Sequence, residues 1–230
     1  MPMLSINPAT GQTIQSFPTW QSAEIDATLS QVASAQTDWA ALSFAQRANC
    51  MRNLAKIFRQ RSEEYANLIT EEMGKLLKEA RAEIEKCAMG CQYYADHAQS
   101  YLNDEVITSD ASRSMVIYQP LGTVLCIMPW NFPFWQLIRA AAPAMMAGNA
   151  VVLKHASNVP RCALALEEAF RQAGFPAYTF RTLMISAEQA EAVLQAEART
   201  AEQVEAALQA EAQTAEQAEA ALQAEAQITE

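Results

Sequence analysis

The sequence has few of the features that suit a membrane or a nucleic-acid partner. Its 16 Lys and Arg stand against 26 Asp and Glu, a net charge of −10, which disfavours an anionic backbone or lipid surface. The most apolar run, residues 132–152, is interrupted by Arg139, Pro143 and Gly148 and does not predict a membrane span. The opening residues lack the basic and apolar regions of a signal peptide. We expect a soluble, cytoplasmic protein that binds neither nucleic acid nor membrane.

Cysteine and histidine are also scarce, with five Cys and two His in 230 residues. The odd number and irregular spacing of the cysteines favour reduced, core-facing thiols over disulfides. Neither His97 nor His155 lies near a cysteine pair, so we predict no metal site.

The first half of the sequence has a helical pattern. Ser22 is expected to cap the first of four helices, in which Ile25, Leu29 and Val32 share one apolar face. The other three helices are predicted over about residues 43–63, 63–74 and 77–102.

After residue 104, strand patterns alternate with helix patterns. The continuous apolar run at residues 123–128 is typical of a central parallel strand buried on both faces. Other strands are predicted at 114–119, 150–154 and 178–185, with helices at 134–147 and 159–173. The predicted fold class is α/β: an N-terminal helical segment, then a partial Rossmann-like cofactor domain of alternating strands and helices.

Residues 186–230 form a separate, acidic region. Three near-copies of a 14-residue unit begin at Ser186, Thr200 and Thr214, and the region holds ten Glu and one Arg. Ala, Glu, Gln and Leu favour a long helix. A coiled-coil stalk is the alternative, weakened by one Leu per unit and by repeated like charges. We predict a domain over residues 1–185 followed by an acidic helical tail over 186–230.

The segment Pro129-Trp130-Asn131-Phe132-Pro133 follows the first buried strand. Ligands of open α/β sheets bind at the carboxyl ends of strands. Two prolines stiffen this loop, so the Asn131 amide can act as a preplaced N–H donor to a developing oxyanion. A rigid turn in which Asn131 caps the next helix is the alternative that the chemistry leaves open.

This segment resembles a motif of the aldehyde dehydrogenase family. Further segments match the family in the same order: Asn7–Gly11, Glu72–Lys75, Pro120–Gly122, Pro143-Ala144, Ala147–Asn149 and Leu153-Lys154. The resemblance covers about residues 5–194 and is strongest to the succinate-semialdehyde type. It implies oxidation of a small-molecule aldehyde by NADP or NAD through a cysteine thioester.

The resemblance also implies roles for particular residues. Asn131 is the oxyanion-hole donor. Cofactor contacts fall on Ile127, Met128, Pro129, Trp130, Lys154 and Ser157, and substrate contacts fall on Phe132, Trp135 and Arg139. Ser157 stands where many NAD-preferring relatives carry Glu, so repulsion of a 2′-phosphate is missing. Arg139 resembles a clamp for the substrate's distal carboxylate, with a surface ion pair as the alternative. His155 is given no role.

The catalytic segments that the resemblance calls for are missing from these 230 residues. There is no Glu-Leu-Gly-Gly segment for the general base and no cysteine in a Gly-Gln-x-Cys context. Cys126 and Cys162 lie in a predicted strand and helix and are poor nucleophile candidates. We expect a truncated family member that is inactive alone. A non-catalytic cofactor-binding remnant or a helix-mediated interaction protein is the alternative, and the oligomeric state is left open although family members form homo-oligomers.

Overall fold

The structure is a computed structural model that describes residues 2–195. Most of the predicted repeat helix lies outside these residues, although residues 187–195 are helical. The chain divides into two units, Met1–Ile185 and Ser186–Glu230. Within the described part, no helix combines the length and the apolar character needed to cross a membrane.

The first unit opens with an antiparallel hairpin and four helices. The hairpin strands are β1 (Met3–Ile6) and β2 (Thr13–Phe17). The helices are α1 (Ser22–Ala41), α2 (Phe44–Gln60), α3 (Ser62–Met73) and α4 (Leu77–Tyr101), which confirms the four predicted helices.

Local sequence explains where several of these helices begin and end. Ser43 and Gln46 form a reciprocal capping box before α2, which satisfies two otherwise unpaired donors. Gly74 ends α3 with φ +78°, a conformation that glycine adopts without strain. The predicted cap at Ser22 was wrong, because Gln21 holds the N-cap position and no side chain caps α1.

The second half alternates strands and helices. A short antiparallel pair, β3 (Glu105–Val106) and β4 (Met115–Val116), comes first. Then follow β5 (Thr123–Met128), α5 (Trp135–Met146), β6 (Ala150–His155), α6 (Pro160–Gln172) and β7 (Phe180–Thr182). Strands β5, β6 and β7 form a parallel sheet in that order. The predicted α/β class is confirmed, although β4 and β7 are shorter than predicted.

The prediction that residues 123–128 form a central, doubly buried strand was wrong. That position belongs to β6, whose six residues are all buried. In β5 only Cys126 is buried, and Ile127 is 51% exposed. Within residues 2–195, β5 pairs with β6 alone, so its other edge is unpaired and its exposed face lacks a cover.

The front helices and the sheet share one core. The rings of Phe58, Tyr65 and Phe134 are fully buried, with centroids 5.2–6.1 Å apart. Trp39, also fully buried, donates its indole N–H to the carbonyl oxygen of Met145 at 2.9 Å. Because Phe134 immediately precedes α5, the loop after β5 is anchored in the same core as the front helices.

Candidate active site

The register of the parallel sheet brings two predicted site segments together. Ile127 pairs with Lys154 and Met128 pairs with His155. Beyond the last pair, the Ala156 N–H donates to the Met128 carbonyl at 2.9 Å. The loop after β5 and the turn after β6 therefore leave the sheet side by side at its carboxyl edge, where ligands of such sheets bind.

The loop after β5 presents its middle residues to solvent. Trp130 is 50% exposed, Phe132 is 44% exposed and Asn131 is exposed as well. The N-cap of α5 is Phe134, and no side chain caps that helix. The interpretation of Asn131 as a helix cap is therefore wrong, and its amide forms no hydrogen bond with residues 2–195. Both N–H donors are free for a ligand.

His155 holds the loop to the sheet. Its ring is buried, Nε2 donates to the Pro133 carbonyl at 2.8 Å, and Nδ1 accepts from the Ala156 N–H at 2.9 Å. Burial lowers the pKa of His155 to about 4. The ring is therefore neutral at pH 7, which is the state that offers one donor and one acceptor. The residue that the sequence left without a role fixes the exit of the Asn131 loop.

Lys154 is a buried cation at the end of β6. The residue is 8% exposed, and burial lowers the pKa of its ammonium group. No carboxylate or other hydrogen-bond partner contacts its Nζ in the described part of the chain. An ammonium in this setting suits ribose hydroxyls or a phosphate. Ser157 lies three residues further on, exposed in the following turn.

The N-termini of α5 and α6 are already occupied by protein carboxylates. Glu83 accepts from the N–H groups of Phe134 and Trp135 at 2.9 and 3.1 Å. Glu72 accepts from those of Arg161 and Cys162 at 2.9 and 2.8 Å. The first N–H groups of a helix are the usual phosphate donors. At these two helices they are not free to bind cofactor phosphates.

The three predicted substrate residues lie in different environments. Phe132 lies under the Lys75 ammonium group, with Nζ 3.6 Å from the ring centroid. Trp135 packs against α4, where the Lys86 Nζ lies 4.3 Å from its ring and a Cβ on Gly90 would come within 3.1 Å. Arg139 is exposed and forms no ion pair with residues 2–195. The described residues therefore do not supply the surface ion pair that was the alternative to a substrate clamp.

The cysteines do not provide a nucleophile here. All five are free thiols, and Cys126 and Cys162 are 3% and 0% exposed. Burial raises the pKa of Cys126 to about 11 and that of Cys162 well above its ordinary value. Both thiols are therefore protonated at neutral pH, whereas a nucleophile must be a thiolate. No group of three potential metal ligands occurs among the described residues.

Two cavities of the described residues lie away from the Asn131 loop, and a third touches its edge. Cavities of about 330 and 490 Å³ lie between α6 and β7 and beside α3. A third, of about 350 Å³, reaches Trp130 and Asn158 next to the N-terminal hairpin. The carboxyl edge of β5 remains open, as expected for a sheet whose edge strand is uncovered.

The architecture defines an α/β cofactor-binding domain, with parallel strands joined by helical crossovers and a loop at the strand ends. The chain belongs to the aldehyde dehydrogenase family, because the sequence model of that family matches residues 2–202.

Several relatives of this chain are named succinate-semialdehyde dehydrogenases. It is 52% identical over 194 residues to a probable NADP(+) succinate-semialdehyde dehydrogenase of Synechocystis sp., covering 84% of this chain and 43% of that protein. It is 45% identical over 198 residues to NADP(+) succinate-semialdehyde dehydrogenase 1 of Mycobacterium tuberculosis, covering 85% and 43%. The structure of a succinic semialdehyde dehydrogenase from Streptococcus pyogenes with NADP+ aligns with TM-score 0.80 and 32% identity, covering 83% and 42%. The chain spans less than half the length of these relatives.

The sequence indicated no role in the site for four residues around the loop: Glu72, Lys75, Glu83 and His155. Glu72 and Lys75 belong to a segment that matches the family, but nothing in that match indicates what they contact. Glu83 lies 51 residues from the Phe134 N–H group whose hydrogen bond it accepts, so no local pattern reveals the pairing.

Proposed function

We propose that residues 1–194 supply the oxyanion-donor and cofactor-ribose part of an NADP-dependent dehydrogenase that oxidises succinate semialdehyde to succinate. The observation that carries this proposal is the pairing of Met128 with His155, which aligns the loop of Asn131 with the strand end of Lys154. The names of the relatives from Synechocystis and Mycobacterium tuberculosis support the substrate class and the cofactor.

Each of these groups has a distinct task in that reaction. A bound NADP+ would supply the hydride acceptor, once a nucleophile from outside these 230 residues had added to the aldehyde carbon. Asn131 donates an N–H to the aldehyde oxygen as negative charge develops there. Lys154 binds the ribose hydroxyls or 2′-phosphate of the adenosine, where a counter-charge stabilises its buried ammonium. The nucleophile and the general base are not among these 230 residues. We therefore propose that the 230-residue chain does not oxidise the aldehyde by itself.

A hybrid enzyme tests the proposal. In it, residues 1–194 of this chain replace the matching part of the Synechocystis relative, and NADPH formation is followed with succinate semialdehyde. We expect the hybrid to be active and the 230-residue chain to be inactive under the same conditions. Robust turnover by the 230-residue chain that persists in its Asn131→Ala variant would contradict the proposed role of Asn131 and the proposed inactivity of this chain alone.

Ser157→Glu is expected to shift the cofactor preference of the hybrid towards NAD. A carboxylate at this exposed turn repels a 2′-phosphate, and a charge pair about 6 Å apart at an effective dielectric constant of about 20 interacts by roughly 3 kcal/mol. We expect the KM for NADP to rise on the order of 10- to 100-fold, with the KM for NAD almost unchanged. Ser157→Gln, of similar size without the charge, is the control. Equal losses for both cofactors would indicate that the turn does not face the 2′ position.

Arg139→Leu is expected to raise the KM for succinate semialdehyde in the hybrid by roughly 10- to 100-fold. The reason is that the variant loses a hydrogen-bonded charge pair with the distal carboxylate of the substrate. Because Arg139 is exposed and forms no ion pair within residues 2–195, its loss leaves the fold intact. The KM for butanal, which lacks the carboxylate, should not change. Arg113→Leu, at an exposed site, is the control. A parallel rise for both aldehydes would remove Arg139 from substrate recognition.

A further inference from the structure

A buried ion pair lies directly behind the Asn131 loop. Lys75 and Glu83 are ion-paired through Nζ and Oε2, with side chains only 7% and 0% exposed. The other oxygen of Glu83 accepts the N–H groups of Phe134 and Trp135. The Lys75 ammonium group lies over the ring of Phe132. The pair therefore contacts the chain on both sides of Pro133.

Stability alone does not account for such a pair. Desolvation of two charges offsets most of their attraction, so an apolar pair of similar volume would stabilise the fold about as well. A buried ion pair with satisfied hydrogen bonds does fix the direction of the groups that it contacts. Here Glu83 orients the first turn of α5, and Lys75 fixes the ring of Phe132 through a cation–π contact.

The pair acts together with His155. The Pro133 carbonyl is held by His155 from the side of the sheet, while Glu83 holds the next two N–H groups from the side of α4. Residues 132–135 are thus restrained at four successive positions. Asn131 is the residue immediately before this restrained stretch, and its own side chain makes no hydrogen bond with the described residues 2–195.

We propose that Lys75 and Glu83 are positioning residues that set the direction of the Asn131 amide without touching substrate. This rests on the proposed function of Asn131 as an oxyanion donor. Glu83 requires Lys75, because an unpaired carboxylate in this position would be buried without a counter-charge. The Gly74-Lys75 segment thereby gains a role in the site, although it lies in the front helical region.

The first test measures position and does not depend on turnover. In the ¹⁵N-labelled 230-residue chain, Lys75→Met should shift or broaden the Asn131 side-chain amide and Trp130 indole signals. The Trp39 indole, bound to the Met145 carbonyl, should stay unchanged. Glu83→Gln, which keeps an acceptor oxygen but loses the charge, should affect the same two signals. Arg81→Met breaks an exposed pair with Glu63 and should affect neither.

Two results would overturn the proposal. One is no change at Asn131 and Trp130 in either variant, and the other is an equal change at Trp39, which would indicate general loosening. These results stand even if the hybrid enzyme proves inactive, so failure of the proposed function is distinguishable from failure of this inference.

The second test uses the hybrid enzyme in a double-mutant cycle. Lys75→Met should lower kcat by about 10- to 100-fold, the cost of a misplacement on the order of 1 Å, with both KM values within about twofold. In an Asn131→Ala background it should cause no further loss, because the group that it positions is gone. Additive losses in the cycle would show that Lys75 acts through other residues and would overturn the proposal.

Discussion

Asn131→Ala in the hybrid enzyme is expected to lower kcat with succinate semialdehyde by about 10²- to 10³-fold, the usual effect of removing one oxyanion-hole donor. The physical reason is that a free, preplaced amide stabilises charge that develops only in the transition state. The KM values should change little, since the ground-state aldehyde carries no full charge. The measurement is steady-state NADPH formation in the hybrid and its variant.

The control for this prediction is the stability of the variant. Asn131 is exposed and its amide forms no hydrogen bond with residues 2–195, so its truncation should change the free energy of unfolding by less than about 0.5 kcal/mol. Asn131→Asp keeps the shape but places a carboxylate against the developing charge, and should be at least as slow as the alanine variant. A fully active Asn131→Ala hybrid would leave the loop with a purely structural role.

The sequence was most informative where structure depends on neighbours along the chain. The start of α2 follows from the capping box that Ser43 and Gln46 form. The end of α3 follows from the glycine at position 74. Both are local sequence signals. The apolar runs at 123–128 and 150–154 predicted two strands of one parallel sheet. Which of the two is central could not be predicted, because a continuous apolar run records only that both faces can be buried. Burial of β6 depends on its place between β5 and β7 and on contact with α1, far away in sequence, as well as with the adjacent α5 and α6.

In the site, too, contiguous sequence indicates some residues, whereas the role of others depends on residues far away in the chain. Asn131 was found because its motif is contiguous and bracketed by prolines. The groups that hold its loop and the start of α6 come from residues 72–83 and from His155, and their backbone partners lie 22 to 90 residues away. From sequence alone, a single histidine at the end of a strand and two glutamates on helices would ordinarily be predicted to lie at the surface. Only the fold shows that they are buried against backbone N–H and C=O groups, which require partners.

Glu72→Ala is expected to destabilise the chain by about 3 kcal/mol, the contribution of two hydrogen bonds to a charged group. Glu72 is 2% exposed and accepts the N–H groups of Arg161 and Cys162, while the N-cap residue of α6, Val159, provides no side-chain cap. Each hydrogen bond to a charged group contributes roughly 1.5 kcal/mol or more, and the loss leaves buried donors unpaired. The negative carboxylate also interacts favourably with the positive, N-terminal end of the α6 helix dipole.

Glu71 supplies a matched control at the neighbouring position. Its side chain is 51% exposed and forms one ion pair with the Arg161 side chain at 3.1 Å, so Glu71→Ala should change the free energy of unfolding by less than about 1 kcal/mol. Urea denaturation followed by circular dichroism compares the two variants with the unmodified chain. Glu72→Gln should fall between them, because it keeps one acceptor oxygen and loses the charge. Equal midpoints for the Glu72 and Glu71 alanine variants would mean that this carboxylate does not hold α6.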